Sequence, residues 1–268
     1  MENTKNKIMK IFAGLLAIFL IGGILFITNA FVGNPISAKI ARKTINQYVK
    51  DNYSFLDLQV EKPFYNFKFG EYVSRVKSRT SMDTEFNIYY RNGKVQYDDY
   101  ESSVLEMFNT IQRLSDEYTD VAKRIIAKEL GYEKNNTRVM YARNVYENGN
   151  DALKLDMKFD KSLPIDAEVN IGIDVKDTDL EDIARILIDA HKAFIKNSCY
   201  FKKYGLFIEN DKVLVMVNRV KPEDIESGDL VNLLQKAKDY EEDTVGEKEE
   251  DYEERMSVYI RDKDSENN

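Results

Sequence analysis

Cysteine and histidine are almost missing from this 268-residue chain, with one of each, and tryptophan is absent. A single cysteine allows no intramolecular disulfide, and one cysteine with one histidine cannot by themselves furnish a multi-Cys/His zinc site. Positive charge is also in short supply: 39 Lys+Arg stand against 47 Asp+Glu, for a net charge of −8 and an isoelectric point near 5.0. That balance disfavours nucleic acid as a partner. Phosphate loops of the GxxxxGKS or GxGxxG kind, the GxSxG nucleophile elbow and the HExxH metalloprotease pair are missing too. Their absence removes the familiar labelled enzymes.

The acidity is local. Residues 239–255 hold ten of the 47 acids and two of the 39 bases, which leaves 37 of each sign elsewhere. This segment has almost nothing apolar to bury, so ordering it is not repaid by a core, and it reads as a solvated loop or frayed helix end. A calcium or basic-partner site is the sharper alternative, but the regular acid spacing and turn glycine of an EF-hand loop are not there.

One long uncharged run stands out. From Ile11 to Val32 the sequence IFAGLLAIFLIGGILFITNAFV carries only Thr28 and Asn29 as strongly polar residues. As a helix it is ~33 Å long, enough for a hydrocarbon core of ~30 Å. A buried core helix would need neighbours on every side, and no other segment is comparably apolar. Lys5, Lys7 and Lys10 form a basic region before the run, and Thr28-Asn29-Ala30 loosely imitates a small-x-small cleavage site. The run is too long for a usual signal-peptide core and Thr28 is a poor outer small residue, so an uncleaved anchor is expected. A cleaved, secreted protein beginning near Phe31 is the alternative. The positive-inside count is nearly balanced, since Lys39, Arg42, Lys43 and Lys50 follow the span. Lys10 abuts the apolar run, which places residues 1–10 in the cytoplasm and the part after the span outside. The lone Cys199 is compatible with that side.

After the span, Asn34 can cap a new helix with Pro35 at its first position, and apolar residues at helical spacing predict that helix to about Asn52. Leu58 and Val60, Tyr72 to Val76, Phe86 to Tyr90 and Val95 to Tyr97 then alternate as about four strands, with Asn92-Gly93 as a hairpin turn. This is a compact first domain over 34–100, a helix on an antiparallel meander. The stretches GNPISAKIARKTINQYV, FYNFKFGEYVSRVKS and DTEFNIYYRNGKVQYDDY resemble the YfjL-like family of membrane-anchored proteins of Gram-positive bacteria. Gly33-Asn34-Pro35 and Tyr97-Asp98-Asp99-Tyr100 are the most distinctive pieces, and the likeness covers about Gly33 to Tyr100. The resemblance implies one N-terminal membrane helix and an extracytoplasmic α+β part, in a family without an established activity and so without catalytic residues to carry over.

A second α+β domain is expected over 101–262, with residues 263–268 as a disordered tail. Ser103-Val104-Leu105-Glu106 reads as a capping box opening a long amphipathic helix stopped by Gly131. Strands are expected at Arg138 to Tyr146, Leu153 to Phe159 and Ala167 to Val175, with Asn148-Gly149 as a turn. Thr178-Asp179-Leu180-Glu181 is a second capping box, opening a helix to about Asn197. A hairpin around Asn210-Asp211, a helix from about Pro222 to Tyr240 and a late strand at Met256 to Arg261 complete an antiparallel arrangement.

Little chemistry announces itself. His191 borders the apolar stripe of its helix and reads as a structural, partly buried imidazole, because no metal or catalytic partner is visible in the sequence. Cys199 reads as a small semi-buried residue. Asp98 with Asp99, and Asp177 with Asp179 and Glu181, are the candidate carboxylate groupings. The first pair leaves a strand with its side chains on opposite faces, and the second suits a helix N-terminus. Seventeen Tyr and fourteen Phe suit sheet packing, and an exposed aromatic face would also suit peptide or protein recognition. No catalytic, cofactor-binding or metal-ligating residue is assigned. The reading is a membrane-anchored α+β protein with two small domains, a non-enzymatic binding or accessory module of the cell envelope. It would meet the bilayer through its N-terminal helix and an unidentified envelope protein or peptide through its domains. An envelope hydrolase using paired carboxylates is the alternative.

Overall fold

The uncharged run forms the longest helix of the chain. In the computed structural model, which describes residues 2–142, 152–175, 178–243 and 255–263, α1 extends from Glu2 to Val32. It begins upstream of the apolar run, so residues 2–10, expected as a tail, are part of the helix. Every described side chain from Ile11 to Val32 is exposed, with Phe19 and Phe26 at 77%. A helix apolar on all sides is stable when something apolar surrounds it, and the protein does not surround this one. α1 is long and apolar enough to cross a membrane. The chain divides into two units, Met1–Asn109 and Thr110–Asn268.

The end of α1 is set by one glycine. Gly33 takes φ +74° and its N–H donates to the Asn29 carbonyl at 3.0 Å. That left-handed residue ends the helix without a Cβ penalty. Asn34 then caps α2 (Pro35–Asn52): its Oδ1 accepts from the Ile36 N–H at 2.8 Å and the Ser37 N–H at 3.4 Å, and Pro35 fills the first position. The Tyr72 hydroxyl accepts from the Asn34 N–H at 2.7 Å and donates to the Asn34 carbonyl at 2.9 Å.

The sheet of this unit has the order β1 (Leu58–Val60), β3 (Glu71–Ser78), β4 (Glu85–Arg91), β5 (Lys94–Asp98), with β2 (Phe64–Asn66) also paired to β3. The short β2 is a fifth strand beyond the four expected. All pairs are antiparallel, and Tyr72, Ser74 and Val76 lie opposite Tyr90, Ile88 and Phe86. Because side chains alternate along a strand, these residues share one face. They pack on Ala41, Ile45 and Val49, spaced four apart along α2.

Past β5 the chain follows its expected order with five corrections. The helix read from Ser103 starts at Phe108, because Glu101–Leu105 forms a π-helical turn and Met107 takes φ 63°. This α3 (Phe108–Leu130) buries Ile111, Leu114, Tyr118 and Ile125. Leu153 to Phe159 is not a strand: Asp156 turns at φ 59°, and the Met157 carbonyl accepts from Arg113 Nη2 at 2.7 Å. The cap of α4 (Leu180–Lys196) is Asp179 and not Thr178, accepting from the Asp182 N–H at 2.8 Å. The helix expected over Pro222 to Tyr240 is two helices, α5 (Pro222–Glu226) and α6 (Leu230–Asp243), separated at Gly228 with φ 77°. The sheet is mixed: in the order β10 (Ser257–Asp262), β9 (Val213–Val220), β8 (Lys203–Glu209), β7 (Ala167–Ile173), β6 (Arg138–Tyr141), the pair β7 and β8 is parallel. Between those two strands α4 makes the crossover that a parallel pair requires.

Val169, Ile171, Leu206, Ile208, Val215 and Val217 are all buried on one sheet face. The opposite face leaves Phe207 and Tyr259 partly exposed. The Asn148-Gly149 turn, most of the acidic segment and residues 264–268 lie outside the described residues.

The junction after α1 yields a stability prediction. A Cβ built on Gly33 would lie 2.7 Å from both Tyr65 Cγ and Tyr72 Oη. Gly33→Ala should cost ~1–2 kcal/mol for the left-handed backbone alone, with the two ring contacts adding to it. Thermal unfolding of the detergent-solubilised chain reads this as a lower Tm, and an unchanged Tm would show that the junction is not tightly packed.

Candidate functional site

Asp98 and Asp99, singled out in the sequence, each accept several hydrogen bonds within the fold. Asp98 Oδ2 accepts from the Tyr48 hydroxyl at 2.6 Å and the Tyr53 hydroxyl at 2.8 Å, and its Oδ1 accepts from the Tyr100 N–H at 3.1 Å. Asp99 points elsewhere: it accepts from the Asn87 backbone N–H, from Asn87 Nδ2 at 3.0 Å and from the Tyr89 hydroxyl at 3.2 Å. Adjacent residues at a strand exit face opposite ways, so the two do not form a dyad. Together they tie α2 and β4 to the end of β5. Asp179 is committed to its helix cap and Glu181 sits exposed in the first turn of α4, while Asp177 lies outside the described residues.

His191 has the partners that the sequence did not reveal. It sits on the buried stripe of α4, 6% exposed. Its Nδ1 lies 2.8 Å from the Tyr204 hydroxyl and its Nε2 lies 3.0 Å from Glu226 Oε1. A neutral imidazole satisfies both contacts at once if Nε2–H donates to the carboxylate and Nδ1 accepts from the phenol. Tyr204 is the second residue of β8, beside an irregular register with β9 in which Arg219 takes φ 61°. Such a bulge re-aims the strand, and β9 leads directly into α5, whose last residue is Glu226. The Asp224 carboxylate accepts from the Lys221 N–H at 2.9 Å, fixing the start of that short helix. No periodicity marks Glu226 as a partner of His191, because the two come from different helices.

These groups form one wall of a cavity of about 530 Å³. Its apolar lining includes Leu163, Ile165, Ile195 and Phe201, and its polar groups include Lys161, Asp166 and Glu226. Three buried tyrosines, Tyr118, Tyr141 and Tyr204, also line it. Among the described residues the buried Tyr141 hydroxyl has no hydrogen-bond partner, and the Tyr118 hydroxyl, beside the Cys199 thiol, makes no hydrogen bond of good geometry.

Burial governs the titration of the same groups. It pushes Tyr141 up to about 12, helped by the nearby charges of Asp160 and Glu117. It raises Tyr204 well above the phenol range, with Cys199 and Glu226 adding to the effect. The Cys199 thiol is also raised by burial and donates to the Asn197 carbonyl at 3.6 Å. Neither the thiol nor the phenols are thereby activated as nucleophiles. Among the described residues no group of three or more His, Cys, Asp or Glu could hold a metal ion.

The unbonded phenol and the raised one can each be tested. If the Tyr141 hydroxyl is unbonded, Tyr141→Phe should leave stability unchanged or raise it, because the desolvation cost of the hydroxyl disappears. A loss of ~1 kcal/mol or more in chemical denaturation would show that the hydroxyl is bonded. The second test concerns pH. Burial, with the Asp98 carboxylate beside it, raises Tyr48 from 10.0 to about 12 in the fold. The folded chain therefore holds this proton where the unfolded chain releases it, so the stabilisation is complete below pH 10.0 and is lost as pH rises through about 12. Urea midpoints should fall over that interval, and more gently in Tyr48→Phe; equal slopes would remove Tyr48 from the linkage.

Comparison with known proteins extends over both units. Residues 8–99 match the family model of the YfjL-like N-terminal domain, and residues 117–235 match that of the YfjL-like C-terminal domain. The second match reaches far beyond Tyr100 and includes His191, Tyr204 and Glu226. An uncharacterized protein of Bacillus subtilis (strain 168), YfjL, is 27% identical over 164 residues, 61% of this chain and 68% of that protein. No solved structure matches.

Proposed function

This chain belongs to the YfjL-like family, and we propose that it is a single-pass membrane protein whose second unit binds a small amphiphile in the His191 cavity outside the cytoplasm. The anchor rests on α1, whose apolar surface no other element covers along most of its length. Lys10 abutting the apolar run favours a cytoplasmic N-terminus. On this reading the protein works as a binding or accessory module of the envelope of a Gram-positive cell.

The observation that carries the ligand class is the cavity lining: apolar walls with a few convergent polar groups are the usual composition of small-molecule sites. The Tyr204–His191–Glu226 chain would orient a hydroxyl or carboxylate on the ligand, and Ile165, Ile195 and Phe201 would cover its apolar part. Binding is favoured over a carboxylate hydrolase because Asp98 and Asp99 are each held by two or more hydrogen-bond donors. A hydrolytic pair needs both carboxylates turned to one substrate.

His191 is the chain's one histidine, so its imidazole resonances report this site alone. Titrating the full chain with octanol and with octanoate should produce a saturable shift of those resonances for at least one of the two. Ile165→Trp, which fills the cavity, should abolish it. If neither compound moves the imidazole, or if the filled variant responds like the parent, the cavity is not the ligand site.

A further inference from the structure

A second cavity lies in the first unit, where α1 ends. It has a volume of about 860 Å³, and one wall is the last turn of α1 itself, from Thr28 to Val32. The other walls come from the start of α2 and from Lys62 to Tyr65. The ring of Phe31 meets that of Phe67 at 5.6 Å, which ties the end of α1 to the turn after β2. Gly33 and the Tyr72 bridge to Asn34 fix this junction, so the groove is built by packing.

Its chemistry is one-sided. Lys39, Arg42 and Lys62 line it, and among the described residues no Asp or Glu does. All three cations are exposed, and none has a carboxylate partner among the described residues. Between them the lining is apolar: Phe31, Val32, Pro35, Ala38 and Phe64. Alongside, Phe64, Phe67 and Phe69 are 58%, 53% and 64% exposed on one short hairpin. A soluble protein has little use for three adjacent exposed phenylalanines. Next to the end of an apolar helix, the arrangement matches the interface of a bilayer, where aromatic rings sit at headgroup depth and cations meet lipid phosphates.

We propose that this groove binds the headgroup of an anionic phospholipid in the leaflet from which α1 emerges. Lys39, Arg42 and Lys62 would hold the phosphate, while Phe31, Val32 and Phe64 would lie along the first part of an acyl chain and Phe67 and Phe69 would enter the same leaflet. The anion is argued from three cations with no acid among the lining residues, and the lipid from the groove's continuity with α1. The proposal rests on the membrane anchor and does not involve the His191 cavity.

The test uses the full chain, delipidated in neutral detergent and mixed with equal amounts of phosphatidylglycerol and phosphatidylcholine, with retained lipid counted by native mass spectrometry. The expected result is preferential retention of phosphatidylglycerol, weakened by salt. Lys39→Gln/Arg42→Gln/Lys62→Gln should reduce the preference at least tenfold at unchanged Tm, and Lys39→Arg should keep it. Equal retention of both lipids, or an undiminished preference in the triple variant, overturns the proposal. Displacement of phosphatidylglycerol by inorganic phosphate at equal concentration overturns it too, since the site would then recognise free phosphate. Alkaline extraction of membranes containing the full chain separates the two readings. A chain released by alkali sinks the anchor, whereas a chain that stays embedded without lipid preference sinks only the groove.

Discussion

The approach of Tyr65 and Tyr72 to the backbone of Gly33 is the constraint on which the first unit depends. A side chain at that position would collide with both rings, so the exit of α1 is fixed by a residue that has none. From that point the Asn34 cap, the Pro35 start and the Tyr72 bridge direct α2 onto the sheet. The stretch Gly33-Asn34-Pro35 is thus a short mechanical joint. Gly33 supplies a left-handed turn, Asn34 caps free N–H groups and Pro35 presets φ for the first helical residue. The groove of cations and phenylalanines exists because this joint brings the last turn of α1 beside β2.

Tyrosine does much of the polar work of the fold. It bridges a helix cap, binds Asp98 twice and Asp99 once, and lines the cavity of the second unit. A phenol can bury its ring in an apolar core and still present one donor, which suits a protein with one histidine, one cysteine and no tryptophan. A phenol ordinarily titrates at ~10 and stays protonated through the neutral range, which makes it a fixed donor. The two proposed sites differ in kind: the His191 cavity combines phenols and an imidazole with charges of both signs, Lys161, Asp166 and Glu226, and the groove at the membrane end is lined by cations.

Much of the first unit was readable from the chain. The bounds of α2, the Asn92-Gly93 hairpin and the opposite facing of Asp98 and Asp99 all follow from local rules of capping, turn chemistry and alternation. Past β5 the local rules misled at specific places. Ser103 had the look of a capping box, but the chain turns at Met107 before α3 begins. Leu153 to Phe159 alternates like a strand, but Arg113 takes the Met157 carbonyl and Asp156 turns out of the extended region. Gly228 splits a helix that periodicity would have continued, and that break leaves Glu226 beside His191.

Elements whose cause is local can be read directly from the order of residues: the long apolar helix, the capped helix after it, the meander and the α+β class. The sequence also limited the chemistry through what it lacks. The tertiary structure decided the parallel pairing of β7 and β8, the partners of His191, the unbonded hydroxyl of Tyr141 and the convergence of Lys39, Arg42 and Lys62 on one groove. Those features join residues separated along the chain, and hydrophobic periodicity carries no information about which distant side chain will lie within 3 Å of another.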